Sequence, residues 1–192
     1  MKRLAASLLL VLPVLALPAC AQQTEPKAAR QAVQALVPKV LEALAKRDFD
    51  RLATFVGDNG LTVSPYVMLD DSDVRLSRPD LQSCVTDREV RLWGERDGSG
   101  DPIEITCSQY FDEFVWNADY RQPDEVLYNE PRQRGNEINN NHDYAPDGIV
   151  VELHIRGDGD QAAMNWKSLR LIFRDGEKGL SLIAITRDVW TI

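Results

Sequence analysis

Residues that could carry out chemistry occur in two places in the sequence. The first is RDGSGDPIEIT, residues 96–106, in which aspartates flank Gly-Ser-Gly as in calcium and phosphate-binding loops. A helix-loop-helix calcium loop that starts at Asp97 would also need glycine at 102 and glutamate at 108, where this chain has Pro102 and Ser108. A dinucleotide fingerprint would need its third glycine where Ile103 stands. Because glycine, aspartate and serine favour tight turns, we predict a turn, with adventitious calcium binding as the alternative.

The second place is the carboxyl third, where polar side chains recur at alternate positions of strand-like runs. Glu152 and His154 share one face of IVVELHI, Arg170 lies in WKSLRLIF, and Asp188 and Trp190 follow LSLIAIT. If these even-numbered side chains point into the concave side of a curved sheet, they line a pocket for a small ligand. The polar side chains that could close its mouth are Tyr128, Asn129, Asn136, Asn139 and Asn140.

The same residues have a purely structural alternative. In that interpretation Glu152 and Arg170 form a cross-strand ion pair, Asp188 satisfies His154, and no ligand binds. An acid–base enzyme would instead need a carboxylate of raised pKa, which Glu152 or Asp188 could supply beside His154. The chain has no G-x-S-x-G motif of serine hydrolases, and His142 and His154 lack zinc-ligand spacing. We therefore predict a binding module rather than an enzyme, with no metal and no cofactor.

The amino terminus predicts export. Two basic residues precede sixteen uncharged residues, 4–19, an apolar segment slightly shorter than a membrane-spanning helix needs. The segment ends in Leu-Pro-Ala-Cys, which resembles the bacterial lipobox and predicts lipid attachment at Cys20. We therefore expect a signal peptide over 1–19, a tether over 20–27, and anchoring in the bacterial envelope, facing the periplasm or the cell exterior. An ordinary signal peptide cleaved after Ala21 is the alternative.

Charge and length restrict the partners of the mature chain. A single domain over residues 28–192 is long enough to bury a sizeable core. The chain has a formal net charge of −8, and loss of two basic residues with the leader would leave −10. Such a surface repels phosphate backbones, so we expect no nucleic-acid partner. We expect membrane contact through the lipid alone, and a small ligand or another envelope protein as partner.

Two cysteines remain besides the predicted lipid site. Cys84 and Cys107 are 23 positions apart in a chain that we expect to be exported, which favours one disulfide. Two buried free thiols are the alternative.

The elements that must position these residues follow from periodicity. Apolar residues at helical spacing predict a helix over 28–47, interrupted at Pro38, and a short helix capped by Asp48. A capping box that begins at Thr106 predicts another helix, and residues 117–147 form a long polar connection. The strand-like runs are LTVSPYVML, VRL, EVRLWG, IVVELHI, WKSLRLIF and LSLIAIT, the last two joined by a hairpin.

Helices first and strands after them indicate an α+β domain with amino-terminal helices packed on a curved antiparallel sheet. This element order, with GLTVSPY after two helices, resembles the nuclear transport factor 2-like proteins, whose sheet forms a cone. That family includes small isomerases and dehydratases together with many binding domains. The resemblance therefore implies an architecture and not an activity.

Local motifs over residues 49–192 are similar to those of a family of uncharacterised bacterial exported lipoproteins. They are SPYV, WGERDGSGDPIEIT, YF..FV, YNE, GNEINN, VELH, W.SLRL.F and WTI. The resemblance implies relatives but no reaction. Relatives tend to have an aromatic residue at the position of Cys107, so the disulfide would be particular to this branch. They also tend to have His-Asp where this chain has Arg187-Asp188, which weakens a catalytic role for histidine there.

Overall fold

The computed structural model describes residues 23–176 and 179–191. The predicted signal peptide and Cys20 lie outside the described residues. Within the described residues the helices are α1 (Pro26–Val33), α2 (Val37–Ala45), α3 (Phe49–Thr54), α4 (Arg78–Ser83), α5 (Cys107–Tyr110) and α6 (Asn141–Tyr144). The strands are β1 (Leu61–Ser64), β2 (Val74–Leu76), β3 (Val90–Glu95), β4 (Pro102–Thr106), β5 (Glu125–Tyr128), β6 (Ile149–Ile155), β7 (Lys167–Gly176) and β8 (Gly179–Val189).

One sheet dominates the architecture. Six strands pair in the order β2-β1-β8-β7-β6-β5, and β3 and β4 form a separate hairpin. Within the six-stranded sheet β1 and β8 are parallel, whereas the other neighbouring pairs are antiparallel. The predicted α+β class is confirmed, but the sheet is mixed rather than wholly antiparallel.

The amino-terminal helices form as their sequence predicts. The helix expected over 28–47 is divided, because α1 ends at Val33 and α2 begins at Val37. Pro38 lies in the first turn of α2, where a missing N–H breaks no helical hydrogen bond. The Asp48 side chain caps α3 by accepting the N–H of Arg51 at 3.0 Å.

On β6 and β7 the odd-numbered side chains, and not the even-numbered ones, share the main core with α1, α2 and α3. They include Val151, Leu153, Leu169, Leu171 and Phe173. All five are apolar, so placing them against the helices buries more apolar surface than the polar even-numbered face would. The condition under which the even-numbered residues would line a pocket under the helices is therefore not met on β6 and β7.

A disulfide ties α4 to α5, as the cysteine count predicts. Cys84 and Cys107 have an S–S distance of 2.01 Å and a Cα–Cα distance of 5.2 Å. Thr106 and Gln109 form the predicted capping box, but α5 ends at Tyr110, and a π-helical turn then follows over Phe111–Val115. No helix in the described part of the chain has the length and apolar character needed to cross a bilayer.

The polar connection 117–147 is more ordered than predicted. It contains β5 and α6, each only four residues long and therefore too short to show periodicity in the sequence. Its α6 lies over the outer face of the sheet, where Tyr144 and Ala145 pack with Val150 and Ile172. The even-numbered face is thus covered by a short helix and irregular chain.

Candidate functional site

A cluster of buried charges lies on the even-numbered face. The antiparallel register places Glu152 opposite Arg170. The Arg170 side chain is 1% exposed, with Nη2 3.2 Å from Glu152 Oε2 and Nη1 2.9 Å from Asp188 Oδ2. The contact between Arg170 Nη1 and Asp188 is an ion pair only, since Nη1 makes no hydrogen bond to any described residue. The structure thus contains the cross-strand ion pair that was the alternative to a pocket.

An arginine from the covering segment completes this cluster. Arg134 donates from Nε to Glu152 Oε1 at 2.7 Å and from Nη2 to Glu125 Oε2 at 2.6 Å. Burial raises the pKa of Asp188, while the charge of Arg170 opposes the rise. We call Glu125, Arg134, Glu152, Arg170 and Asp188 the charge cluster. Its charges pair with one another, so a ligand would have to displace an internal partner to enter it.

His154 does not pair with Asp188. Its Nδ1 lies 2.9 Å from the hydroxyl of Ser168, which in turn donates to Glu152 Oε1 at 3.0 Å. The register explains this partner, because Ser168 is directly opposite His154, whereas Asp188 is one strand further away. Burial, followed by the charge of Arg134, lowers the pKa of His154. The imidazole is therefore neutral near pH 7.

A shallow cleft opens beside this histidine. It has a volume of about 450 Å³, and we call it the His154 cleft; it is lined by Arg134, His154, Arg156, Gly157, Ala162, Ala163 and Trp166. The His154 and Trp166 ring centroids are 5.9 Å apart. Histidine, arginine and an aromatic ring are thus accessible together on the outer side of the sheet.

The other predicted pocket residues have separate positions. Asn129 binds backbone, accepting the N–H of Val150 at 2.7 Å, and Asn140 likewise accepts the N–H of Leu69 at 2.9 Å. The Tyr128 ring is covered by the Arg30 guanidinium at 5.8 Å, and Trp190 is 43% exposed. These four side chains therefore do not gather at a common mouth with His154.

A roomier cleft lies elsewhere, between the β3–β4 hairpin, residues 64–73 and residues 136–138. Its volume is about 740 Å³, and we call it the Trp93 cleft; its walls include Pro65, Tyr66, Met68, Asp73, Leu92, Trp93, Glu137 and Ile138. Leu92 is 59% exposed and Ile138 is 71% exposed. Solvent-exposed apolar side chains around a concave surface are typical of ligand-binding sites.

Two carboxyl groups give the Trp93 cleft a polar side. Burial raises the pKa of Asp73 and also that of Glu137. Asp73 accepts the N–H of Asp70 at 2.8 Å, and Glu137 lies 3.4 Å from the N–H of Val67. Backbone contacts therefore fix both carboxyl groups at the wall of the cleft.

The Gly-Ser-Gly stretch is the predicted turn. Arg96 N donates to Asp101 O at 2.7 Å and Gly100 N to Arg96 O at 2.9 Å, which closes the loop between β3 and β4. The Tyr66 hydroxyl holds the loop by accepting the N–H of Asp97 at 2.6 Å and donating to Glu95 O at 2.9 Å. Among the described residues, no three histidine, cysteine, aspartate or glutamate side chains converge as a metal site.

Arg187, at the position where relatives tend to have histidine, cannot join the charge cluster. Its guanidinium lies 4.8 Å from the ring centroid of Phe114, on the core side of the sheet. Asp188, the next residue, points to the opposite side, as alternation requires. Burial lowers the pKa of Arg187.

Sequence reasoning missed several of the residues in these sites. Ser168 could have been found, because it shares the even-numbered alternation of Arg170. Arg134 lies in irregular chain and gave no periodic signal, whereas Trp166 begins the run WKSLRLIF on the same alternation as Ser168. The Trp93 cleft is assembled from three segments remote in sequence, so only the exposed apolar character of Leu92 and Ile138 could have indicated it.

No protein-family model matches this chain, and no curated protein does. Among solved structures it is similar to a nuclear transport factor 2-like protein from Cytophaga hutchinsonii, with a TM-score of 0.39, 11% identity, and coverage of 83% of this chain and 97% of that one. It is also similar to a nuclear transport factor 2-like protein of cystatin-like fold from Novosphingobium aromaticivorans (TM-score 0.38, 9% identity, 85% and 82% covered). A domain of unknown function with a cystatin-like fold from Nostoc punctiforme gives a TM-score of 0.40 at 10% identity, with 86% and 79% covered. Likenesses of this size carry no inference about activity.

Proposed function

We propose that this protein is a lipid-anchored envelope protein that binds a small, partly apolar ligand in the Trp93 cleft. The observation that carries the proposal is a concavity of about 740 Å³ with exposed apolar walls and two fixed carboxyl groups. Most of a small molecule's surface could be buried in such a volume.

Trp93 supports the wall of the cleft from within. It is 3% exposed, and its ring stacks on Tyr110 with centroids 4.1 Å apart and an interplanar angle of 16°. Its indole Nε1 donates to Ile105 O at 2.9 Å, so the polar end is already satisfied. A wall held in place in this way loses little conformational entropy when a ligand packs on it. The apolar surface open to that ligand comes from Leu92 and Ile138.

The polar side of the cleft favours a ligand with hydrogen-bond donors. Asp73 and Glu137 present carboxyl oxygens, and the Tyr66 hydroxyl is already engaged with the hairpin loop. Carboxylates accept hydrogen bonds and repel anions. We therefore infer a neutral or cationic molecule that carries hydroxyl or amino groups.

The first described residues support anchoring close to the membrane. The side chains of Gln23 and His142 are hydrogen-bonded, and Thr24 O accepts from Asn129 at 2.7 Å. A chain gains at most about 3.6 Å per residue, so a lipid on Cys20 would hold the domain near the bilayer.

Lipid attachment is tested by growing cells with labelled palmitate. We expect the wild type to incorporate the label and Cys20→Ser to lose it. Equal labelling of both proteins would contradict lipid attachment at Cys20.

Native mass spectrometry of the protein purified from its own host in mild detergent tests ligand binding. We expect a retained mass on the wild type that Ile138→Asp loses, because a charge on this wall opposes an apolar ligand. Val85→Asp is the matched control, since Val85 is also exposed, at 45%, but lies outside the cleft. A retained mass that survives Ile138→Asp would place the ligand elsewhere.

A small acid–base enzyme is the second candidate, and the raised pKa values of Asp73 and Glu137 favour it. A raised pKa makes a carboxyl group better suited to act as a proton donor than an ordinary surface carboxyl group. Incubating the retained ligand with fresh protein tests for turnover. An enzyme would change the chromatographic retention and fragmentation of the ligand, and in a dehydration also its mass, with wild type and not with Asp73→Asn, whereas a binding protein would leave the ligand unchanged in all three.

A further inference from the structure

We propose a second site, in the His154 cleft, for a small oxyanion that carries its own hydroxyl group, with hydrogen phosphate as the simplest example. This site lies on the outer side of the sheet and shares no lining residue with the Trp93 cleft. The inference does not depend on the function proposed above.

The first step is the protonation of the histidine ring. Glu152 forms ion pairs with both Arg134 and Arg170, so its oxygens act as acceptors. The single hydrogen of the Ser168 hydroxyl is donated to Glu152 Oε1 at 3.0 Å. Ser168 must then accept from His154 Nδ1, which lies 2.9 Å away and carries the proton of the neutral ring.

The second step concerns the other ring nitrogen. With the proton on Nδ1, Nε2 of His154 is left as a hydrogen-bond acceptor. Nε2 has no hydrogen-bond partner among the described residues, although the residue as a whole is only 8% exposed. His154 lines the cleft and its Nε2 is not sealed from solvent, so this acceptor faces the cleft, with the ring orientation fixed from behind by Ser168 and Glu152.

The third step is the charge around that acceptor. Arg134 and Arg156 line the cleft, and no carboxylate does so among its described lining residues. Arg134 uses Nε and Nη2 within the charge cluster, which leaves Nη1 for a ligand. Arg156 has no ion pair among the described residues; its backbone N–H, and not its guanidinium, contacts Asp124 at 2.8 Å. Two guanidinium groups thus accompany one acceptor.

This combination selects a particular chemistry. The arginines attract a negatively charged oxygen, while Nε2 needs an O–H to receive. Hydrogen phosphate offers both, whereas sulfate is an anion of similar shape without a hydroxyl at neutral pH. Bound sulfate would leave Nε2 without a hydrogen bond, because sulfate has no O–H to donate. A site that leaves one of its acceptors unpaired in this way discriminates effectively against the wrong ion.

Titration calorimetry on the full chain in mild detergent tests this site, with inorganic phosphate and sulfate as probes. We expect phosphate to bind at least about tenfold more tightly than sulfate, because bound sulfate would cover the Nε2 acceptor without giving it a hydrogen bond. His154→Phe should remove the preference. His142→Gln, which changes the only other histidine, should leave it intact. Equal affinities in the wild type, or no binding of either ion, would overturn the proposal.

Nitrogen NMR of the two histidines provides a readout that does not depend on binding. In the wild type, His154 should show a protonated Nδ1 and an unprotonated Nε2. The signals that disappear in His142→Gln belong to His142, so the remaining ones are assigned to His154. Ser168→Ala removes the partner of Nδ1, so Nε2 should become protonated and the preference should move towards sulfate. A protonated Nε2 in the wild type at neutral pH would overturn the proposal even if every variant failed to fold.

Discussion

At the residue scale, the charge cluster is where the sequence was both most and least informative. Strand alternation predicted that Glu152 and Arg170 would be neighbours, because the period of a strand determines which side chains share a face. It did not indicate which face would meet the helices, nor that Arg134 would arrive from irregular chain. The period of each strand, a local property, determines which of its side chains share a face. Which segment of the chain packs over that face depends on the fold of the whole chain.

Removing the central cation of the cluster should be strongly destabilising. Arg170→Met leaves Glu152 and Asp188 buried, at 3% and 4% exposed, without their shared partner. We expect a loss of about 3–5 kcal/mol in the free energy of unfolding, measured by denaturant titration. Arg88→Met makes the same chemical change at an exposed position and should cost little. A loss as small in Arg170→Met as in this control would contradict the buried pairing.

His154 should make stability depend on pH. Burial and Arg134 lower its pKa below the ordinary value of 6.5, against the opposing charges of Glu152, Glu125 and Asp124. The unfolded chain therefore takes up this proton at a higher pH than the folded chain, and stability falls as pH drops below about 6.5. Wild type should lose more stability than His154→Gln between about pH 7 and about pH 5. Parallel curves for the two proteins would contradict the shift.

At the element scale, local signals predicted helices better than strand ends. The capping residues Asp48 and Thr106 each accept the expected backbone N–H, because capping depends on residues three positions apart. LTVSPYVML was expected to be extended throughout, but β1 ends at Ser64. From there the chain leaves the sheet to form a wall of the Trp93 cleft, which only tertiary packing specifies.

The disulfide between α4 and α5 should stabilise the fold. Cys84 and Cys107 join α4 to α5 across 23 positions. Replacing both with alanine should lower the free energy of unfolding by about 3 kcal/mol in the chain-entropy model. Denaturant titration with and without reductant checks this, since reductant should destabilise the wild type and leave the double variant unchanged. A wild type insensitive to reductant, with both thiols then free to alkylate, would contradict the expected contribution.

At the scale of the whole molecule, the order of helix-like and strand-like runs predicted an α+β domain and the cysteine count predicted one disulfide, and the structure has this class and this bond. Composition could not locate a ligand site, because both clefts are assembled from segments far apart in the chain. The two clefts also differ in chemistry. The Trp93 cleft joins apolar walls to carboxyl groups, and the His154 cleft joins arginines to an acceptor nitrogen.

Hydrogen-exchange mass spectrometry tests ligand binding in the Trp93 cleft most directly. The protein as isolated from its host is compared with the same protein after denaturation and refolding, which removes a non-covalent ligand. We predict slower exchange in the isolated protein at residues 64–73, 92–95 and 136–138, with α2 unchanged as an internal reference. Identical exchange in the two samples, or protection confined to other segments, would contradict the account.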